Sequence, residues 1–373
     1  MTRLWAMVLG TVAVSALASL RAIVLYLPPP LRVPGTAGMI AAGVLGCILL
    51  LRGRLRPRWV LIAASVLMVI VAGAIYPSAD ARSQMGLGSD QDDALRDMAS
   101  GIMAGRYPFA TPTYLDNPPS PGPVWVLLHV PFVAAGAYIL APVVALALGG
   151  WTLARTAGGI AAAGAGVILG TSPVFWEAVA IGSDQVAVGC ASAILLLLAV
   201  ETRATSTAIG VTALAVAVGT ARAVFPFVPA AIGLVARGHR LGSVATLSGA
   251  ALAVIIHLAL FQWGPGGYGP MHVFGEAAIM LPGWQASAGA AATLATLAVV
   301  MAIRPRRIAS QMAGLGVVLA VPLILMMVVR SAEDFSDIAS WGANYVVPAV
   351  VVLAAATGLA VAEVARNSLG KVV

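Results

Sequence analysis

Runs of about 20 apolar residues recur along the chain, and charged residues stand almost only between them. A helix needs about 20 apolar residues to cross the hydrocarbon core of a bilayer, which is about 30 Å thick. The pattern therefore predicts an all-α polytopic membrane protein with about ten to twelve transmembrane helices, twelve being preferred. The predicted segments are 4–27, 33–51, 59–76, 136–154, 157–172, 183–200, 206–220, 223–236, 242–262, 285–303, 309–329 and 342–364.

The composition excludes a soluble protein. Hydrophobic residues make up 60% of the chain and charged residues 9%, and the mean hydropathy is +0.98. Soluble domains carry about 25% charged residues. We therefore predict one integral membrane domain over 1–373 and no soluble domain. The net charge of +7 is assigned to positive cytoplasmic turns rather than to nucleic-acid binding.

The distribution of charge predicts the orientation. Placing the N- and C-termini in the cytoplasm puts 14 of the 21 Lys and Arg residues in cytoplasmic turns, as the positive-inside rule requires. The same orientation puts 12 of the 14 Asp and Glu residues at or near the outer surface. The predicted external segments are then 77–122, 173–182, 264–284 and 331–345.

The first external loop concentrates carboxylates in a chain that has few. The segment "SDQDDALRD" (89–97) predicts a helix that starts at Asp90, is capped by Ser89 and carries Asp90, Asp93 and Asp97 on one face. The plain alternative is a surface helix whose acids favour its N-terminal dipole end. That alternative accounts poorly for three carboxylates so close together, so Asp90, Asp92 and Asp93 are candidate catalytic residues. One of them would act as a general base, or the three together would hold a divalent cation, and the sequence does not distinguish these two roles.

The same helix carries two packing signals. Leu95, Met98 and Ile102 form an apolar stripe on another face. Asp92 and Arg96 have the i, i+4 spacing of a helical ion pair. The sequence therefore predicts an amphipathic helix at the outer surface, with its apolar side toward the membrane domain.

A loop rich in proline and aromatic residues follows this helix. It reads "RYPFATPTYLDNPPSPGPVW" (106–125) and leads into a short Pro-bounded helix at the membrane interface. An irregular loop of this length is usually functional when it is ordered, and a rigid spacer is the alternative. Tyr107, Tyr114 and Asp116 are its candidate substrate-binding residues.

Four further positions are singled out. Arg222 lies between apolar pieces in "TARAVFPF" (220–227), where a cation is either functional or snorkels to the interface. Arg330 ends a predicted helix at the outer surface, and either arginine suits a bound phosphate. Asp184, in "IGSDQVAVG" (181–189), is a substrate-binding candidate or an ordinary helix cap. His272 lies in an external loop, and the four histidines show no metal-binding spacing.

The order of these segments resembles the polytopic glycosyltransferases of the GT-C superfamily, especially bacterial mannosyltransferase-like members. The likeness rests on "SDQDDALRDMASGIMAGRYPF" (89–109), "DNPPSPGPVWVLLHVPF" (116–132), "GSDQVAVG" (182–189) and "GTARAVFPFVPAAIGLVARGHR" (219–240). By its spacing to the turn "GRYPF", Asp90 matches the family's catalytic Asp best, followed by Asp93 and Asp92. The chain departs from the pattern in two ways. Its acidic loop follows the third predicted helix rather than the first, and Ala94 stands where an aromatic residue is usual.

The resemblance implies a GT-C-like fold and a hexosyltransferase, with mannose as one option, in the bacterial inner (plasma) membrane. The donor would be a polyprenyl-phospho-sugar bound among membrane lipids, the acceptor a lipid or a glycan, and the active site extracytoplasmic. A carboxylate, first of all Asp90, would accept the proton of the acceptor hydroxyl. Arg222 or Arg330 would stabilise the lipid-phosphate leaving group. The resemblance implies no certain cofactor and leaves the divalent cation open.

Two other classes remain open from the residues alone. A secondary transporter of a small or lipid-like substrate would suit about twelve helices with an Arg or Asp near the membrane. Against it, the acids cluster in an external loop rather than at the bilayer midplane. A non-catalytic membrane scaffold is the third class, and it predicts that activity survives removal of every external acid.

Overall fold

The computed structural model describes residues 2–81, 89–236, 238–265, 267–275, 283–333 and 343–369. Every regular element in these ranges is a helix. The first eight are α1 (Thr2–Ala18), α2 (Leu20–Tyr26), α3 (Pro29–Leu51), α4 (Pro57–Asp80), α5 (Gln91–Met103), α6 (Pro123–Ala134), α7 (Leu140–Ala157) and α8 (Gly159–Gly170). The other α-helices are α9 (Pro173–Ala180), α10 (Gln185–Glu201), α11 (Thr205–Thr220), α12 (Phe227–Val235), α13 (Arg240–Trp263), α14 (Gly283–Ile303), α15 (Ile308–Glu333) and α16 (Val347–Leu369). Two short 3-10 helices, Gly269–Met271 and Ala343–Val346, complete the described elements.

Six of these helices are long and apolar enough to cross a membrane, namely α3, α4, α7, α13 and most of α15 and α16. Two bent pairs add one span each when each pair is counted as a single span. They are α1 with α2, bent by 48°, and α8 with α9, bent by 84°. The described residues therefore supply six to eight candidate spans, and the all-helical polytopic membrane class is confirmed.

The described residues do not confirm the predicted number of about twelve spans, although each predicted segment overlaps a helix. Three of those helices are short: α10 has 17 residues, α11 has 16 and α12 has 9. At 1.5 Å per residue, none of the three reaches the roughly 30 Å of a hydrocarbon core. The shortening has a local cause, since the chain breaks at Thr202 and again before the proline at Pro226.

Helix α16 forms the centre of the bundle. The part of it that qualifies as a span is 89% buried, against 11% for α4. Its close neighbours approach at small residues: a Cβ added to Gly358 would lie 2.1 Å from the carbonyl oxygen of Ala161 in α8, and one added to Gly164 would lie 2.9 Å from Gly358 Cα. Helices without a hydrophobic driving force between them associate through close contacts of this kind.

Replacing Gly358 with Ala is expected to lower the free energy of unfolding by about 1–3 kcal/mol, the usual cost of overpacking. The new methyl group would meet a backbone carbonyl, which moves less readily than a side chain. Denaturant titration of the protein in detergent measures the change. Gly10→Ala is the matched control, because nothing lies within 4 Å of a Cβ at Gly10 in α1. Equal stability of the two variants would contradict the tight α8–α16 contact.

Helix α5 is amphipathic as predicted, and it fixes the position of the acidic loop. Its apolar side is buried, with Leu95 0% and Met98 2% exposed, and it packs against Trp125 of α6 and Tyr138. The helix begins one residue later than predicted. Asp90 therefore occupies the N-cap position in place of Ser89, and its side chain makes no capping hydrogen bond.

Two backbone features bring other chain segments to α5. Helix α4 contains a π-helical turn at Val71–Ile75, just before Tyr76 and Asp80, and such turns change the direction in which later side chains point. After α5 the chain turns at Gly105, whose φ of +66° is a left-handed conformation that glycine adopts without strain. The loop at 106–122 then runs back toward the start of α5.

Candidate functional site

Asp90 joins the start of α5 to the Pro-aromatic loop. Its Oδ2 accepts hydrogen bonds from Thr113 Oγ1 at 2.6 Å and from Asn117 Nδ2 at 2.8 Å. The donors belong to a tight turn, in which the amide of Thr113 donates to the carbonyl of Asn117 and the amide of Asp116 donates to the carbonyl of Thr113. Asp116 itself is exposed and has φ +61°. Two segments that the sequence predicted separately therefore form one structure, with a carboxylate at their junction.

A second group of carboxylates, here called the acidic cluster, consists of Asp80, Asp92 and Asp93. One oxygen of each lies within 4.8 Å of the others. Asp80 comes from the end of α4, and the other two come from the first turn of α5. Arg96 lies against all three members, because its Nη1 is 2.7 Å from Asp80, 3.4 Å from Asp93 and 3.7 Å from Asp92. The predicted Asp92–Arg96 pair is thus one part of a four-residue network.

Asp92 is the buried member of the cluster, with 2% of its surface exposed. Tyr76 of α4 donates its hydroxyl to Asp92 Oδ2 at 2.8 Å. Burial, together with the charge of Asp93, raises the pKa of Asp92 to about 7. Burial also raises the pKa of Asp93 to about 6, while Arg96 opposes this shift. Asp93 Oδ2 is buried and has no hydrogen-bond partner among the described residues.

These pKa values predict that the protein loses stability as the pH rises from about 4 to about 7. The ordinary pKa of Asp is 3.8, so between about pH 4 and 7 the folded state holds more protons than the unfolded state. The free energy of unfolding therefore falls through this window and is lowest above it. The thermal unfolding midpoint measured at several pH values tests this. Asp92→Asn should flatten the profile, whereas the exposed Asp116→Asn should keep the wild-type slope, and a wild-type slope in Asp92→Asn would contradict the assignment.

The acidic cluster does not fit a divalent cation while Arg96 holds its present position. A cation bound by the three carboxylates would need oxygens that now face one guanidinium nitrogen at 2.7–3.7 Å. Arg96 occupies the position that such an ion would take, so we derive no metal-dependent step from the cluster.

Asp184 and Arg222 form a buried ion pair. The two guanidinium Nη atoms donate to the two carboxylate oxygens at 2.7 and 2.8 Å, and Trp125 Nε1 donates to Asp184 Oδ2 at 2.8 Å. Asp184 is 0% exposed and Arg222 is 5% exposed. Asp184 stands at the N-cap of α10 but makes no capping hydrogen bond. The bidentate pair joins α10, α6 and the break between α11 and α12, so both residues serve the packing of these segments.

The ion pair and the acidic cluster lie next to each other. Gly182 (φ +64°), two residues before Asp184, lies against the cluster, since a Cβ there would be 2.6 Å from the ring of Tyr76 and 3.1 Å from Asp92 Cβ. Ser183 donates to Gln91 Oε1 at the start of α5. The phenol of Tyr345, just before α16, lies close enough to Arg222, Asp184 and Asp90 for their charges to act on its pKa, which burial raises. The site thus extends from Asp90 to the interior of the bundle.

The other predicted site residues lie at different distances from this centre. Tyr114 borders the carboxylates, since burial and the charges of Asp93 and Asp90 raise its pKa to about 12. Tyr107 lies edge-on to Phe109 with its ring centroid 5.4 Å away, and its hydroxyl is buried. His272 is half-buried, and its Nδ1 lies 2.8 Å from the carbonyl of Gly269. Arg330 belongs to α15, and its side chain lies outside the described structure.

An apolar groove of about 370 Å³ opens beside the break that follows α11. Its walls include Val224, Pro226, Leu258 and Phe274, and His257 lies at its inner end. His257 Nδ1 shares a hydrogen bond with the hydroxyl of Tyr268 at 2.8 Å. The groove is therefore an apolar cavity with one polar pair.

Four residues of the site were not predicted from the sequence: Tyr76, Asp80, Thr113 and Asn117. Asp80 follows a long apolar run directly, and a carboxylate in that position is a usable signal. The two donors to Asp90 gave no signal, because Thr and Asn are ordinary loop residues. Comparison with known proteins adds no assignment: the chain matches no family model, no curated protein and no solved structure.

Proposed function

We propose that the protein is a membrane glycosyltransferase of the GT-C type. It transfers a hexose from a polyprenyl-phosphate-linked donor to a lipid or glycan acceptor at the outer face of a bacterial inner membrane. Mannose is the first sugar to test, because the motifs resemble mannosyltransferase-like members.

The observation that carries the proposal is the attachment of the Pro-aromatic loop to Asp90. A general base has to be held within hydrogen-bonding distance of the proton that it takes. Two donors on one oxygen of Asp90, at 2.6 and 2.8 Å, orient the carboxylate at the junction of an interfacial helix and an ordered loop.

The proposed reaction is a single displacement at the anomeric carbon. Asp90 accepts the proton of the acceptor hydroxyl, and the oxygen of that hydroxyl forms the new bond to the anomeric carbon. The bond from that carbon to the phosphate oxygen breaks, and the polyprenyl phosphate leaves with the electron pair. Both Nη atoms of Arg222 donate to Asp184. We therefore assign the contact with the leaving phosphate to Arg330.

The apolar groove supports a lipid-linked donor. Its side chains Val224, Leu258 and Phe274 offer a surface for an isoprenoid chain, and Val224 and Phe274 are themselves 41% and 49% exposed. Within a bilayer, an apolar groove of this kind offers an isoprenoid chain the same apolar surroundings as the lipid tails do. Tyr107, Tyr114, Asp116 and His272 remain the proposed contacts with the sugar and the acceptor.

The test uses the purified full chain in nanodiscs with radiolabelled polyprenyl-phospho-mannose and a lipid extract from the source membrane. The expected result is transfer of label from the donor to a new product. A panel of other polyprenyl-phospho-sugars covers the choice of sugar. The absence of both turnover and binding with every donor in the panel would contradict the proposal.

A secondary transporter remains the second candidate, and one observation favours it. The Asp184–Arg222 pair is a buried charge pair at the ends of broken helices, which is a common arrangement at transporter binding sites. The same panel in proteoliposomes separates the two functions. A transporter would move label across the membrane with its chemical form unchanged, whereas a transferase would change the labelled compound.

A further inference from the structure

A second cavity lies away from the proposed active site, where three helices end together. It measures about 250 Å³. Its walls come from the end of α12 with the turn that follows it, and from the end of α14, the start of α15 and the turn between these two helices. Leu234, Val235, Val300 and Met301 line its apolar side. The sequence predicts that both turns face the cytoplasm.

Two arginines border this cavity without a matching acid. Arg304 and Arg306 both line it, and no Asp or Glu is among the lining residues. Within the described ranges neither guanidinium pairs with a carboxylate, whereas their neighbour Arg307 pairs with Glu363 at 2.6 Å. Arg304 has φ +51°, a strained conformation for a residue with a Cβ.

A buried amide completes the cavity. Gln311 of α15 is only 4% exposed and lines the cavity wall. Its Nε2 lies 3.5 Å from the carbonyl of Val235, while its Oε1 has no hydrogen-bond partner within the described structure. A buried acceptor left without a donor is unfavourable, so a hydroxyl-bearing molecule in the cavity would satisfy it.

We propose that this cavity binds a phosphate ester, with its anionic group between Arg304 and Arg306 and a hydroxyl that donates to Gln311 Oε1. Arginine matches phosphate oxygens in geometry and charge. The apolar side of the cavity suits a hydrocarbon chain beside the anionic group, so the source favoured by the structure is an anionic phospholipid with a hydroxylated headgroup. Phosphatidylglycerol has this chemistry, and glycerol 1-phosphate is its soluble counterpart.

The test is a titration of the delipidated full chain in neutral detergent, with binding read by native mass spectrometry. The probes are phosphatidylglycerol, phosphatidylcholine, glycerol 1-phosphate and inorganic phosphate. We expect phosphatidylglycerol to bind at least about ten-fold more tightly than phosphatidylcholine. Arg304→Gln with Arg306→Gln should raise its dissociation constant about thirty-fold, as expected for two basic side chains at an anionic surface.

The matched control is Arg54→Gln with Arg56→Gln. Those two exposed arginines lie in another predicted cytoplasmic turn, and their replacement removes the same charge. Arg306→Gln alone, at an exposed side chain, replaces the double variant if the latter does not fold. Tight binding of glycerol 1-phosphate or inorganic phosphate that depends on the same arginines would support the phosphate site with a soluble ligand. Equal binding of the two lipids, or equal losses in the two double variants, would overturn the proposal.

Discussion

Replacing Asp90 with Asn is expected to lower the rate of sugar transfer by about 10²- to 10⁴-fold, the usual contribution of a general base. The amide has nearly the same shape as the carboxylate but cannot take a proton. Its oxygen can still accept the hydrogen bonds of Thr113 and Asn117, so the loop should stay attached to α5. The substitution therefore separates loss of chemistry from loss of structure.

The measurement is single-turnover consumption of labelled donor by purified wild type and variant at equal concentrations. Asp97→Asn is the matched control, because Asp97 lies on the same helix and outside the proposed machinery, and its rate should stay near that of wild type. Thermal unfolding of both variants checks that the fold is intact. A wild-type rate in Asp90→Asn would show that another residue is the general base. Asp93, whose Oδ2 is buried with no hydrogen-bond partner in the described part of the chain, would then be the next residue to replace.

The elements of the site that the sequence predicted are those set by local periodicity. The apolar stripe of α5 and the Asp92–Arg96 spacing depend on residues three or four positions apart, and the structure has both. Helix ends and the number of spans were harder to predict. A run of apolar residues predicts burial, but it does not tell where the chain bends, as at the 84° break between α8 and α9.

Contacts between distant segments could not be predicted from one sequence. Asp184 and Arg222 are 38 residues apart, and each had a plain explanation of its own, a helix cap and a snorkelling cation. Thr113 and Asn117 are 23 and 27 residues from Asp90 in the sequence, with all of α5 between them. Such pairs depend on how whole helices pack, which a pattern along the chain does not encode.

Replacing Arg222 with Met should lower the free energy of unfolding by about 3–5 kcal/mol, because the carboxylate of Asp184 would be left buried without its partner. Only Trp125 would still donate to it. The double variant Arg222→Met with Asp184→Leu should recover most of this loss, since an apolar pair of similar volume removes both charges from the interior. Denaturant unfolding in detergent of wild type, both single variants and the double variant forms the cycle. Full stability of Arg222→Met would contradict the importance of the buried pair.

The same double variant separates the structural role of Arg222 from its sequence-predicted role as a phosphate ligand. If Arg222 acts only by holding α10 against the break after α11, the stable double variant should transfer sugar at close to the wild-type rate. If Arg222 also contacts the donor, transfer should fall by about 10²-fold or more, since an arginine that stabilises a leaving phosphate acts on the transition state. The bidentate geometry, with both Nη atoms on Asp184, leads us to expect the first result.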